Sequence, residues 1–307
     1  MINLFIFIFL NGEFMSSITD VVKEGLKYPF NDGKKVLTLG IIFLISSLVS
    51  LAMEYLVFDN MRILADSAPI DTIQAALSAL PPSSLALIVL SWIVTFILMI
   101  FCSGYLYDII KYGIEKRPEL PDFKDIKGIF LKGIRSFIVG IAYSILPIIL
   151  FFLGLMLTVN ESVGSSVNAI GGIILLIAIV FAIFCALMEV MALCHMVDKD
   201  ELAAAFRFKE ILALIKNLGW GRYIGILLFT VIAIMIISVF LSFIFGSIAT
   251  VISMIAGSAF VLALVNMIFN SLLVNPYTSI VISRVYGSVY REASNEEAGA
   301  NEVLDAS

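Results

Sequence analysis

The sequence predicts an all-α integral membrane protein: six transmembrane helices arranged as three parallel hairpin repeats, each preceded by a cytoplasmic interfacial amphipathic helix. Three observations predict it. Hydrophobic residues make up 61% of the chain and charged ones 14%, with a mean hydropathy of +1.08. That is too little charge to cover the surface of a water-soluble protein of 307 residues. The apolar residues also gather in runs long enough to cross a bilayer core, which takes about 20 residues in a helix. Finally, the basic residues alternate by connection. Of the 19 Lys and Arg, only Arg62 falls outside the two termini and the second and fourth loops. By the positive-inside rule, both termini and the even-numbered loops are cytoplasmic, the protein lies in the cell membrane, and the number of spans is even.

Taken in order, the chain opens with MINLFIFIFL, an apolar run too short to span and lacking the basic start and cleavage site of a secretory signal. Residues 1–15 therefore read as a leader outside the structured part, with Met15 as an alternative start. Between Ser16 and Lys35, Ile18, Val21, Val22 and Leu26 recur at helical spacing opposite Lys23, Glu24 and Lys27. This is the pattern of a helix lying on the membrane surface, ended by Pro29 and Gly33. The membrane domain covers 16–291, with spans at about 36–58, 85–107, 134–159, 168–196, 223–246 and 256–283. No charge occurs from Tyr223 to Ser283, a stretch that accommodates two spans, with the turn placed in the Gly- and Ser-containing stretch 246–257. In the external loop 59–84, Ile70, Ile73, Leu77 and Leu80 predict one short helix that Pro81-Pro82 stops. Residues 292–307 are acidic and rich in small side chains, the composition of a disordered tail.

The repeat rests on a recurring signature. Lys35-Val-Leu-Thr-Leu-Gly40-Ile-Ile-Phe43 matches Arg135-Ser-Phe-Ile-Val-Gly140-Ile-Ala-Tyr143, and Arg222-Tyr-Ile-Gly225-Ile-Leu-Leu-Phe229 is a looser third copy. Units in one orientation are related by an axis along the membrane normal. Ahead of the second copy, Phe123, Ile126, Phe130, Ile134 and Phe137 share one helical face, with Lys124, Lys127, Lys132 and Arg135 opposite and Pro121 in the first turn. Ahead of the third, Asp198 and Glu201 have capping-box spacing and Gly219-Trp220-Gly221 marks the exit.

Gly104-Tyr105-Leu106, then Leu120-Pro121-Asp122-Phe123, then Gly133 leading into a span, resemble an uncharacterised prokaryotic family of multi-pass membrane proteins, domain of unknown function 4013. The resemblance implies a polytopic membrane protein. It brings no catalytic residues to carry over.

Few residues within the spans could carry chemistry. Glu189 lies in the fourth span, about two turns from its cytoplasmic end, and a charge at that depth is costly unless it serves or is paired. Asn266 and Asn270 are one turn apart on one face of the sixth span, and Asn275 precedes Pro276, where a helix should kink. These four form a candidate intramembrane polar site. Lys124, Lys127, Lys132 and Arg135 are candidate contacts to anionic lipids. His195, the single histidine, adjoins Cys194, but Cys185 and Cys194 fall on opposite helix faces, so no metal site is expected and His195 reads as an interfacial residue. Phosphate-binding loops, nucleophile elbows and paired helical histidines are absent from the sequence.

No cofactor and no nucleic-acid partner are expected, and an enzyme, including one acting on lipid, would lack a catalytic set. The expected partners are the bilayer, anionic lipids and a protein at the cytoplasmic face. The expected role is transporter-like or permease-like, for an unidentified solute or ion. The alternative is a structural or assembly protein that recruits partners or lipids through its cytoplasmic helices.

Overall fold

The computed structural model describes residues 12–65, 81–159 and 165–305, so the leading apolar run and the expected external helix at 70–80 lie outside the described residues. Every element among the described residues is helical. Helix α1 (Gly12–Lys27) passes through a 3-10 turn (Tyr28–Asn31) towards α2 (Gly33–Ala65). Then come α3 (Pro82–Ile114), α4 (Ile126–Val159) and α5 (Ser165–Lys199). A second 3-10 turn (Leu202–Phe206) and the short α6 (Phe208–Leu218) lead to α7 (Trp220–Ala256). Last, α8 (Ala259–Phe269) joins α9 (Asn275–Asp305) through a π turn (Asn270–Val274).

Among the described residues, six stretches are long and apolar enough to cross a membrane: Gly33–Met53, Pro82–Ile114, Ile126–Thr158, Ala169–Lys199, Trp220–Ala256 and Ala259–Asn295. Leu176, Phe243 and Ile255, among many large apolar side chains, stay exposed along them, as they must where hydrocarbon rather than protein covers the helix. The six stretches correspond in number and order to the expected crossings, and the protein is a multi-pass membrane protein. Gly257, at φ 63°, turns α7 into α8 inside the stretch that the sequence marks for it; glycine takes that conformation at little cost.

The chain forms two compact units, one of Met1–Asn31, Ser103–Met235 and Ile280–Ser307, the other of Asp32–Cys102 and Ile236–Ser279. In the first unit α1 buries Ile18, Val21 and Val22 against protein rather than lipid. A Cβ on its Gly25 would sit 2.5 Å from a methyl of Val285 in α9. Helices α4 and α5 meet at two glycines: a Cβ on Gly154 would lie 3.1 Å from the Gly171 carbonyl oxygen, the close backbone approach that small residues permit between membrane helices.

Two boundaries in this unit differ from the expectation. The amphipathic stretch 122–137 is not a separate helix, because α4 starts at Ile126 and runs on unbroken. Asp125 sets that start: its Oδ1 accepts the Gly128 N–H at 2.9 Å, and its carbonyl accepts the Ile129 N–H at 2.9 Å. Pro121 is left outside the helix. Likewise Asp198 lies in the last turn of α5, and Asp200, at φ 51°, reverses the chain behind it. Glu201 makes no side-chain cap, so the Asp198–Glu201 capping box does not form.

The second unit is shaped by Pro276. A proline inside a helix has no N–H, and its ring collides with the carbonyl four residues back, here Leu272. The helix widens in response: the Asn275 N–H reaches back to the Asn270 carbonyl across the π turn. The Leu272 carbonyl thus freed faces Gly40 of α2, where a Cβ would lie 3.0 Å from the carbonyl carbon. Beside it the Ser271 hydroxyl donates to Ser47 Oγ at 2.8 Å, and Phe245 stacks on Phe269 with ring centroids 4.4 Å apart.

Candidate functional site

Of the polar residues within the spans, Glu189 belongs to the first unit and the three asparagines to the second. Glu189, in the first unit, is half-buried, and its Oε1 lies 3.4 Å from where a Cβ on Gly140 would stand. Tyr143, Cys185 and Tyr286 are within electrostatic reach of it. Among the described residues no cation pairs with it. The Tyr143 hydroxyl is committed elsewhere, donating to the Ala205 carbonyl at 2.8 Å. Cys185, Cys194 and His195 do not converge, and among the described residues no three His, Cys, Asp or Glu side chains form a group able to hold a metal ion.

The three asparagines belong to the second unit. Asn266 donates to the Leu262 carbonyl at 3.0 Å and Asn270 to the Asn266 carbonyl at 2.9 Å. Both amides thus turn back onto their own helix. Asn275 is exposed, and its carbonyl accepts the Thr278 hydroxyl at 3.1 Å. Because the donors are used locally, Asn270→Ala should change stability by no more than about 0.6 kcal/mol, the average for a hydrogen bond between membrane helices. The unfolding midpoint in detergent reads this. A loss several times larger would reveal a partner on a neighbouring helix.

The motif residues at the end of α3 do come together. Tyr105, fully buried, stacks on Phe123 at a centroid distance of 4.0 Å and donates to the Pro121 carbonyl at 3.2 Å. Leu120 is buried beside them. Gly104 lies against the α4 backbone, where a Cβ would stand 2.6 Å from the Ile129 carbonyl carbon and 2.9 Å from the Gly133 nitrogen. The spacing Gly-Tyr, Leu-Pro-Asp-Phe, Gly is therefore a packing device that folds the connection between α3 and α4 back onto α3.

Around this knot the charged groups of the first unit form a network. Arg284, 3% exposed, is its centre. Its Nε and Nη2 donate to Glu24 Oε1 at 3.0 and 2.6 Å, and its Nη1 donates to the carbonyls of Tyr112 and Arg117, each at 2.8 Å. The guanidinium also lies 4.3 Å from the Tyr28 ring centroid. Arg291 donates to the Gly113 carbonyl at 2.5 Å and to Glu24 Oε2 at 3.3 Å. Tyr112 and Gly113 occupy the last turn of α3, whose final carbonyls have no partners within the helix. Two arginines of α9 supply them. Tyr28 donates to the Glu119 carbonyl at 2.6 Å; burial pushes its hydroxyl above the usual tyrosine range, against the charge of Arg284.

Next to the network lies an open cleft of about 620 Å³, lined by Ile114, His195, Glu210, Leu214, Tyr290 and Arg291 among others, a size within the range of small-molecule sites. His195 is buried behind it, its Nδ1 2.8 Å from the Tyr290 hydroxyl and its Nε2 3.0 Å from Glu210 Oε2. Tyr290 in turn donates to Asp198 Oδ2 at 3.1 Å. The hydrogen bond from His195, with the charge of Arg207 adding to it, holds the Glu210 carboxyl below the usual carboxylate range. The sequence gives no sign of this arrangement beyond the presence of the single histidine and the arginines that follow the long uncharged stretch.

The four basic residues named as lipid contacts divide. Lys132 donates to Asp108 Oδ1 at 2.7 Å, and Arg135 to Asp200 Oδ1 at 2.8 Å. These two tie the chain to itself. Lys124 faces Asp122 at 3.1 Å with both side chains exposed, an arrangement of little energetic weight, and Lys127 is exposed.

A family model described as Protein of unknown function (DUF4013) matches residues 87–246. Neither a curated protein nor a solved structure matches the chain.

Proposed function

We propose that the chain, which belongs to the DUF4013 family of proteins of unknown function, is a non-enzymatic component of the cell membrane that assembles partners or small ligands at its cytoplasmic pole. The observation that carries this reading is where the polar groups are spent. Asn266 and Asn270 close on their own helix, while His195, Glu210 and Arg291 line an open cleft, Arg291 also belonging to the network of Glu24 and Arg284. The basic residues of the same surface argue that it faces the cytoplasm, with both termini on that side.

The threefold hairpin repeat is part of the proposal. Its support is that Gly40, Gly140 and Gly225 each face a neighbouring element, at Leu272, Glu189 and Ile18 respectively. The amphipathic segments then serve as the cytoplasmic connections of the repeat. In α6 the buried Ile211, Leu214, Ile215 and Leu218 form the inner face of one of them.

A second reading, transporter-like or permease-like, is favoured by one observation, the half-buried Glu189 with no cation beside it among the described residues. One experiment separates the two. Purified protein in liposomes is assayed for proton and cation flux over a range of gradients, wild type beside Glu189→Gln. The assembly reading expects no flux above protein-free liposomes from either. Flux that wild type supports and Glu189→Gln abolishes would overturn it and establish α5 as part of a pathway.

A further inference from the structure

We infer that His195 is a protonation-dependent latch that ties α6 and α9 to the end of α5. The Tyr290 hydroxyl carries one hydrogen and donates it to Asp198 Oδ2 at 3.1 Å; an ionised carboxylate can only accept. The Tyr290 oxygen therefore accepts from His195 Nδ1, 2.8 Å away, and Nδ1 bears a hydrogen. The Glu210 carboxylate also only accepts, so Nε2, 3.0 Å from it, bears the other. With both ring nitrogens donating, His195 is an imidazolium held between two helices.

The groups around the ring fit that state. On α5, Asp198 is shared between Tyr290 and Lys199, whose Nζ lies 3.0 Å away. Ahead of α6, Arg207 lies 3.6 Å from the same Glu210 oxygen that His195 holds. On α9, Tyr290 also hydrogen-bonds Ser294, while the Arg291 guanidinium is committed to Gly113 and Glu24. None of these can take the place of a ring hydrogen on Nε2.

Removing one proton breaks one tether whichever nitrogen loses it. A bare Nε2 would oppose its lone pair to the Glu210 carboxylate and release α6. A bare Nδ1 would draw the Tyr290 hydrogen away from Asp198. The latch therefore weakens as pH rises and the ring gives up a proton. It has an acid limit too. Because folding lowers the Glu210 pKa, the contribution of that carboxylate is complete above the usual carboxylate range and is lost as pH falls through its folded value. The tether is firmest between the two.

A single histidine makes the test direct. Protein carrying 15N-labelled histidine in lipid nanodiscs reports one ring, and hydrogen exchange reports α6. At pH about 5.5 both ring nitrogens should show protonated shifts. Between pH about 5.5 and 8.5, protection of the α6 amides, corrected for the intrinsic pH dependence of exchange, should fall about tenfold, the equivalent of one pKa unit of coupling. The non-titrating His195→Gln should show no such step. Glu210→Gln alters an exposed side chain and keeps an oxygen that accepts from a neutral ring. It should lose the step while His195 still titrates. A neutral ring at pH about 5.5, an unchanged protection in wild type, or a step that persists in Glu210→Gln would overturn the latch.

Discussion

Gly104→Ala is expected to lower the unfolding midpoint in detergent by about 6 °C, from a cost of about 3 kcal/mol at roughly 2 °C per kcal/mol for a chain of this size. The added methyl has nowhere to go. It would stand 2.6 Å from the Ile129 carbonyl carbon and 2.9 Å from the Gly133 nitrogen, and backbone atoms of a continuous helix cannot rotate aside as a side chain can. Helix α3 would have to withdraw from α4, loosening the Tyr105–Phe123 stack and the Tyr105–Pro121 hydrogen bond that hold the connection. Gly172→Ala is the matched control. Nothing lies within 4 Å of its would-be Cβ, and alanine is favoured over glycine inside a helix by about 0.5–1 kcal/mol, so its midpoint should hold or rise. A Gly104→Ala midpoint within about 1 °C of wild type would contradict the close contact.

The second large effect is expected at Arg284. Its side chain is almost wholly buried and makes bonds to Glu24 and to two backbone carbonyls. Arg284→Met keeps much of the volume but removes a donor from all three acceptors, at a cost of about 3 kcal/mol, the low end for breaking a buried pair because Glu24 keeps Arg291 and partial exposure and the Tyr112 carbonyl keeps the Arg117 N–H. Arg284→Lys should fall between, since one ammonium cannot match a planar fork that serves a carboxylate and two carbonyls together. Adding Glu24→Gln to Arg284→Met should cost less than the two changes summed, because the partners act as a unit. Limited proteolysis after Lys23 and Lys27 follows the consequence, as α1 detaches from α9. Wild-type resistance in Arg284→Met would sink this account.

How much of this was legible in the sequence depends on the range of the interaction. Apolar runs and glycine turns are local, and they give the six crossings and the turn at Gly257. The periodicity of Ile18, Val21 and Val22 correctly marks a helix face, but periodicity cannot say whether lipid or protein covers it; here protein does. Asp125 sets the helix start in place of Pro121, because its carboxylate caps the first turn and proline has no side-chain acceptor to do so. The network is of another kind. His195 meets Tyr290 95 residues later, and Arg284 meets Glu24 260 residues earlier. Two acceptors of Arg284 are main-chain carbonyls, which no residue identity announces. The candidate asparagines were visible for the same reason that they are quiet: their partners lie one turn away on the same helix.

The pairing of Asp108 with Lys132 carries an implication for how the protein is made. The acid is nine-tenths buried, and its cation is encoded 24 residues later, so a nascent chain exposes an uncovered carboxylate at the end of α3 until the next helix has been synthesised. A lysine of the following span thus completes the preceding helix.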